Sequence, residues 1–223
     1  MQGINKNIFD FFNDLKTNNN RDWFNKNKER FLEYQQEVKD FSSQVQIKLN
    51  KQDDIDKIKV FRIYRDVRFS KDKTPYKTHF GVSFNRNKPY LRGGYYIHIQ
   101  PDSSFIATGF WNPNKEDLLR IRKEIEVDGE ELEKIINSKK IKTLWGPIKG
   151  DEVKTSPKGF DKDHPHIELI KKKQYVFIKN FNNKEVVEKE FQNNVVKHFE
   201  TIRPFLNYMS SVLTTNMDGE SII

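Results

Sequence analysis

A dense basic segment, Arg62 to Phe80, contains the side chains with the clearest chemical potential in this sequence. It reads RIYRDVRFSKDKTPYKTHF and has six Lys or Arg against two Asp, with two Tyr among them. Guanidinium groups form paired hydrogen bonds with phosphate or carboxylate oxygens, and ammonium groups bind the same oxygens as point charges. The segment therefore indicates a binding site for a small anionic ligand, which could be phosphorylated.

The spacing of the arginines in this segment predicts a turn. Arg62, Arg65 and Arg68 are three residues apart. Side chains on one face of a β-strand repeat every second residue, so these three cannot share one face of a strand. We expect the chain to turn near Arg65 and to bring several cationic groups toward one point. The predicted ligand-binding residues are Arg62, Tyr64, Arg65, Arg68, Lys73, Lys77 and His79.

Two other interpretations of the basic segment stay open. Asp66 and Asp72 can pair with the arginines in a purely structural ion network. Alternatively, the segment and the lysine-rich region 139–173 contact a nucleic-acid backbone, while aromatic side chains stack on bases; the candidates are Tyr64, Tyr76 and Trp111. Whether a reaction takes place is also open, and in an enzyme His79 or Asp66 would carry the proton.

Polar and aromatic residues outside the basic segment are weaker candidates. His98 shares a strand face with Tyr96 and could meet the basic segment across the sheet, although a hydrogen-bonded, partly buried histidine is the commoner case. Asn19, Arg21 and Trp23 lie where a helix begins. We expect Trp23 to anchor that helix by packing rather than to bind a ligand.

Metal and cofactor sites are not expected. The residue types of a divalent metal site occur together at Asp161, Asp163, His164 and His166. The helix-start pattern there favours capping, so we predict no metal site. Gly93 and Gly94 precede a strand rather than a helix N-terminus that could hold a phosphate, and we predict no cofactor.

Charge and composition narrow the class of protein. The 223 residues include 40 Lys or Arg, 32 Asp or Glu and no Cys, and the formal net charge is +8. The lack of Cys excludes disulfides, thiolate catalysis and cysteine-containing zinc sites. Neither a signal-peptide pattern nor an apolar run of membrane length occurs in the sequence. We expect a cytoplasmic protein with no membrane insertion, whose charge favours anionic partners.

Helical periodicity and capping residues predict the helices. One apolar stripe runs from Ile8 to Leu15 and a second from Phe24 to Leu49. Asn114 and Asp128 are predicted to cap two consecutive helices. Asp163 or His164 is expected to cap a short helix, and a capping box at Asn182 begins the last long helix.

Alternating and aromatic runs predict the strands. One strand is predicted to begin at Lys59, with Phe61 and Ile63 on one face. Three more are predicted at His79 to Phe84, Tyr95 to Ile99 and Phe105 to Phe110. Further strands are expected in parts of residues 143–155 and 173–179. Short connections favour an antiparallel meander. Helices lead and close the chain, so we predict one α+β domain over residues 1–223, with a mainly antiparallel sheet packed by N-terminal helices and a long C-terminal helix.

Four blocks cover much of the chain: FFNDLKTNNNRDWFNKNKERF, RDVRFSKDKTPYKTHF, YYIHIQPDSSFIATGFWNP and SPKGFDKDHPHIELIKKK. Together they resemble the uncharacterised family of conserved hypothetical proteins catalogued as domain of unknown function 2461. The resemblance implies one domain and a bacterial-type cytosolic location, and it brings no reaction, ligand or catalytic residue. Since the blocks are polar and aromatic rather than plain core, we expect them to converge on a shared site.

Overall fold

A five-stranded antiparallel sheet forms the centre of the protein. The computed structural model describes residues 3–216 and 218–223. The strands lie in the order β1-β2-β3-β4-β5 and are β1 (Ile55–Val60), β2 (Phe80–Arg86), β3 (Gly94–Ile99), β4 (Ser104–Phe110) and β5 (Tyr175–Phe181). Every neighbouring pair is antiparallel. The predicted α+β class and the predicted meander of the central strands are confirmed.

Eight helices accompany the sheet in the described part of the chain. They are α1 (Asn7–Thr17), α2 (Arg21–Lys26), α3 (Lys28–Leu49), α4 (Lys115–Ile136), α5 (Lys139–Trp145), α6 (Ile167–Ile170), α7 (Asn183–Val187) and α8 (Phe191–Thr214). Among these residues, no helix combines the length and the apolar character needed to cross a lipid bilayer.

The helices pack against one face of the sheet through aromatic contacts. Phe84 of β2 and Tyr95 of β3 both contact Phe199 of α8, with ring centroids 6.3 and 4.6 Å apart. Phe80 of β2 stacks on Phe31 of α3 at 5.6 Å. Large aromatic side chains supply much of this core, which explains how a chain with only 35% hydrophobic residues buries a continuous apolar cluster.

The predicted second helix is divided at Asn27. Asn27 has φ −109° and ψ 12°, and it ends α2 and precedes α3. Its side-chain amide donates to the Trp23 carbonyl at 2.9 Å and accepts from Arg30 at 3.1 Å. Asparagine side chains that bond the nearby backbone compete with helical hydrogen bonds, so the apolar stripe continues while the helix does not.

The strand predicted from Lys59 begins earlier and ends earlier. β1 covers Ile55–Val60, and the chain leaves the sheet after Phe61, whose N–H donates to the Gly81 carbonyl at 2.9 Å. The alternation beyond that point is real, because Ile63 is buried and Tyr64 is exposed. These residues pair with the returning chain, through a single bridge between Tyr64 and Tyr76, instead of with a strand of the sheet.

Three further predictions near α4 to α8 need correction or refinement. The predicted break at Asp128 appears as a kink inside α4, where Asp128 has φ −141° and ψ 74°. Residues 143–145 belong to the end of α5, because Ile141 and Trp145 bury one helical face, and strand pairing in residues 143–155 is limited to isolated bridges at Lys149 and Glu152. His166, rather than Asp163 or His164, stands at the N-cap position of α6.

The predicted capping box at Asn182 is confirmed, but it begins only a short helix. The Asn182 side chain accepts from the Glu185 N–H at 3.0 Å, and the Glu185 carboxylate accepts from the Asn182 N–H at 2.7 Å. Glu188 has an extended backbone and ends α7, so the long helix α8 starts separately at Phe191.

Candidate functional site

The face of the sheet opposite the helices carries the main candidate site. Strand alternation and antiparallel register place two side chains from each of β2, β3 and β4 on this face: Ser83 and Asn85, Tyr96 and His98, and Phe105 and Ala107. Lys57 and Lys59 of β1 pair with Asn85 and Ser83 and therefore extend the same face to the sheet edge. We call this surface the open face.

A cavity of about 730 Å³ lies over the open face. Phe61, Tyr96, Phe105 and Trp111 supply aromatic walls, and Trp111 is 61% exposed. Ala107 and glycine backbone form part of the floor. A cavity of this size, mostly apolar with a few polar groups, has the character of a small-molecule site.

The connection after β4 and the loop before β3 form one end of the cavity. Arg92 forms an ion pair with Asp117 at 2.5 Å, and Asn114 caps α4 by accepting from the Asp117 N–H at 2.7 Å. Lys88 lines the same end and has no ion pair among the described residues. The lining thus holds two cations and one carboxylate, and that carboxylate is already paired.

A hydrogen-bonded array occupies the floor beside β3. His98 Nδ1 lies 3.2 Å from the Tyr96 hydroxyl, and His98 Nε2 lies 2.8 Å from Gln100 Oε1. The Tyr96 hydroxyl reaches over Gly81, where an added Cβ would lie 2.5 Å from it. A side chain at position 81 would displace the Tyr96 hydroxyl from this position. The Phe105 ring stacks on the His98 ring, with centroids 4.5 Å apart.

His79 joins the basic segment to this array. The rings of His79 and His98 are 4.1 Å apart, so His98 meets the basic segment across the sheet, and it is also the buried, hydrogen-bonded histidine that the sequence favoured. Burial, His98 and Lys77 lower the pKa of His79 to about 4. Burial also lowers the pKa of His98, although its hydrogen bond to Gln100 acts in the opposite direction. Both imidazoles are therefore neutral at pH 7.

Arg65 and Arg68 of the basic segment form separate ion pairs. Arg65 pairs with Asp72 at 2.5 Å and also donates to the Thr74 hydroxyl. Arg68 pairs with Asp66 at 2.7 Å, with 77% and 51% of the two side chains exposed. The backbone N–H of Thr74 and the Arg65 guanidinium lower the pKa of Asp72 to about 2.

The lysines of the basic segment bond backbone carbonyls. The Lys73 ammonium donates to the Val67 carbonyl at 2.9 Å, and the Lys77 ammonium donates to the Arg62 carbonyl at 3.0 Å. Lys77 also lies 5.8 Å from the centre of the Phe61 ring. These bonds hold the segment as a hairpin-like loop in which its own carbonyls and carboxylates satisfy many of its cations.

Three of the seven predicted ligand-binding residues line a second cavity of about 370 Å³. Arg65, Lys77 and His79 line it together with Lys16 and Asn19. Four predicted residues do not line this cavity: Arg62, Tyr64, Arg68 and Lys73. We call it the basic cavity. It adjoins the open-face cavity at the His79 and His98 rings.

Three other predicted candidates occupy structural positions. Trp23 packs against Phe11, with ring centroids 5.8 Å apart, as expected for an anchor. Tyr76 is buried and stacks on Phe24 at 4.1 Å, so its ring is not available to a nucleic-acid base. His164 Nε2 lies 3.1 Å from the Glu126 carbonyl. Within residues 3–216 and 218–223, no group of three His, Cys, Asp or Glu side chains is arranged to hold a metal ion.

Most of the open-face lining escaped prediction from the sequence. Lys88 and Arg92 lie between two predicted strands, where no site residue was predicted, and Phe105 and Ala107 lie in a predicted strand whose faces could not be assigned. The available signal was the period-two alternation of residues 94–110. That signal separates two faces, but it does not identify the face that the helices cover.

Comparison with known proteins yields the family alone. A family model described as "Conserved hypothetical protein (DUF2461)" matches residues 7–208. The chain belongs to this family. No curated protein and no solved structure matches the chain. Blocks that carry the family resemblance contribute to both cavities, with residues 95–113 forming much of the open-face lining and residues 65–79 most of the basic cavity.

Proposed function

We propose that this member of the DUF2461 family binds a small organic anion whose planar, apolar body lies in the open-face cavity. The observation that carries the proposal is the cavity itself, which is about 730 Å³ in volume and has aromatic walls above a floor of small residues. Ligand cavities in proteins are typically about 300–1,000 Å³ and are mostly apolar with a few placed polar groups.

The charge around the cavity favours a negative ligand. Lys88 is unpaired among the described residues, while the one carboxylate of the lining, Asp117, is neutralised by Arg92. Lys59 and Lys77 lie 5.2 and 5.8 Å from the centre of the Phe61 ring at the other side. A carboxylate or phosphate on the ligand would gain Coulomb attraction from these cations, and no unpaired carboxylate of the lining would oppose it.

A cavity-filling variant tests this proposal. We expect benzoate, indole-3-acetate or adenosine monophosphate to raise the melting temperature of the wild-type protein, because a ligand that binds only the native state stabilises it. Ala107→Trp should abolish the effect by occupying the floor. Leu119→Trp, at an exposed position of α4, adds a similar ring elsewhere and should respond as wild type does.

Two outcomes would contradict the proposal. One is an Ala107→Trp protein that folds, as judged by circular dichroism, and responds to the ligands as strongly as wild type does. The other is a wild-type protein that responds to none of the three probes at millimolar concentration. A response to short oligonucleotides that falls steeply with salt would instead favour a nucleic-acid interface, because many phosphate contacts release many counterions.

A second candidate function is the binding of a compact anion in the basic cavity. It is supported by the convergence there of Arg65, Lys77 and Lys16 beside the neutral His79 ring, while the lining carboxylate of Asp72 is already paired with Arg65. Arg62, Tyr64, Arg68 and Lys73 would then contribute through the surrounding charge and the shape of the loop. Inorganic phosphate and pyrophosphate serve as probes. We expect Arg65→Ala to lose stabilisation by these anions and Arg68→Ala to retain it, and equal responses of the two variants would argue against this site.

A further inference from the structure

We infer that the ligand of the open-face cavity carries a hydroxyl or N–H group that donates a hydrogen bond to the Tyr96 oxygen. This inference rests on the proposed function, and it adds the chemical class of the ligand: an aromatic anion with a hydrogen-bond donor.

Gln100 fixes the position of the proton on His98. In this structure the Gln100 amide presents Oε1 to His98 Nε2 at 2.8 Å, and an amide oxygen can only accept, so in this orientation Nε2 carries the hydrogen. A neutral imidazole has one N–H, and His98 Nδ1 is therefore an acceptor. The backbone of Gln100 is held by the connection after β3, because its N–H donates to Ser104 Oγ at 3.1 Å and its carbonyl accepts from the same hydroxyl at 2.8 Å.

The surroundings of His98 oppose rotation and protonation of its ring. Phe105 stacks on its ring at 4.5 Å and the His79 ring lies at 4.1 Å, so the imidazole has little room to rotate. A second proton would place a positive charge beside His79, next to Lys77 and away from water. The imidazole consequently stays neutral and keeps its ring orientation, and the hydrogen bond to Gln100 selects the tautomer.

This tautomer of His98 determines where the Tyr96 hydroxyl proton lies. The hydroxyl lies 3.2 Å from His98 Nδ1 and donates to it, so the Tyr96 oxygen offers only lone pairs to the cavity. Beyond that oxygen, Gly81 presents no side chain. A ligand carboxylate would be repelled at this point, whereas a ligand O–H or N–H would be bound. The negative group of the ligand therefore belongs at the end formed by Lys88 and Arg92.

Matched probe pairs test the inference. The pairs are 4-hydroxybenzoate with 4-methoxybenzoate, and indole-3-acetate with 1-methylindole-3-acetate, titrated by calorimetry. We expect wild type to bind the donor-bearing member of a pair about threefold to tenfold more tightly, the range of one neutral hydrogen bond. Tyr96→Phe should bind both members equally.

The Gln100→Leu variant separates this role from simple packing. It leaves Tyr96, His98 and the cavity in place but removes the acceptor that fixes the tautomer. Nδ1 of His98 can then carry the proton, which frees the Tyr96 hydroxyl to donate, and the preference within each pair should decrease or reverse. A packing role for Tyr96 would leave that preference unchanged in Gln100→Leu.

Failure of this inference can be told from failure of the proposed function. If both members of each pair bind equally well to wild type and neither binds to Ala107→Trp, the cavity binds ligands and the inference is wrong. If no probe binds to wild type, both the inference and the proposed function are wrong for aromatic anions. Nitrogen-15 NMR gives a probe-independent check, since a wild-type His98 that carries its proton on Nδ1 would overturn the inference.

Discussion

Two charged regions of this protein differ in burial and in how their charges are partnered. Arg86 pairs with Asp53 at 3.0 Å, and only 1% and 3% of these side chains are exposed. The Arg86 guanidinium also donates to Asn207 at 2.5 Å and to Ser210 at 3.2 Å, while the Tyr95 hydroxyl donates to Asp53 at 2.5 Å. The basic segment has more charges, but its ion pairs are largely in water.

Charge density along a sequence therefore does not indicate which charges stabilise the fold. Exposed ion pairs gain little, since water screens them and both side chains lose freedom. Removal of one partner of a buried pair leaves an uncompensated charge away from water, which costs far more. Arg86 and Asp53 are far apart in the sequence, and no sequence pattern pairs them. In the folded protein they connect β2 to the end of α3 and to α8.

The largest expected effect is that of Asp53→Ala. We expect it to lower the free energy of unfolding by about 3–5 kcal/mol, because Arg86 would remain buried without its counter-charge. Urea denaturation at pH 7 measures the change. Tyr95→Phe removes one hydrogen bond to the carboxylate and should cost about 1.5–3 kcal/mol.

A double variant sharpens this result. Asp53→Ala combined with Arg86→Met should be less destabilised than Asp53→Ala alone, because no unpaired charge is buried. Additive losses in this cycle would show that the pair is not coupled, and the contrast with the basic segment would then fail.

An intermediate effect is expected at His79, the half-buried end of the basic segment. Its pKa is about 4 in the folded protein, below the ordinary value of 6.5, so the unfolded chain binds more protons between these two values. The free energy of unfolding should therefore decrease as pH falls from about 6.5 toward 4. His79→Gln should flatten this dependence in part, since His98 shifts in the same direction.

Urea denaturation at pH 7 and pH 5 measures how much the free energy of unfolding changes with pH in His79→Gln and in wild type, with Arg68→Ala as the control protein. Asp72 titrates near 2, below this interval, and does not contribute. A His79→Gln protein with the same pH dependence as wild type would mean that the ring is already solvated.

The smallest expected effect is that of Arg68→Ala. Its guanidinium and the Asp66 carboxylate are exposed, and Asp66 lies only two residues away. We expect no resolvable change in melting temperature at physiological salt. A clear destabilisation would show that the exposed pairs of the basic segment act as a connected network, which is the structural alternative predicted from the sequence.

Local periodicity was sufficient to predict most of the fold but not the site. The α1 stripe, the central strands and the capping box at Asn182 depend on neighbouring residues, so the sequence contains the whole signal. The open-face cavity depends on which sheet face the helices cover and on the register that places Tyr96 beside Ala107. Such information arises only when distant segments pack.

The basic segment illustrates the same limit at the level of one loop. The predicted departure from strand geometry is observed, since the chain leaves the sheet after Phe61, and the return through residues 75–80 brings Lys77 and His79 back toward it. The sequence offered Asp66 and Asp72 as partners for the arginines, but it could not indicate that Asp72 would pair with Arg65 and Asp66 with Arg68. It also could not place Lys16 of α1 in the same cavity as Arg65.

The edge position of β1 has a consequence for solubility. Lys149 pairs with the outer edge of β5, because it exchanges backbone hydrogen bonds with Val176 at 2.7 and 3.1 Å. β1 has no further strand beside it among the described residues, and three of its six residues are charged: Asp56, Lys57 and Lys59. Short strands rich in lysine resist pairing with strands of other molecules. The same lysines that make the open face basic thus protect an unpaired sheet edge from aggregation.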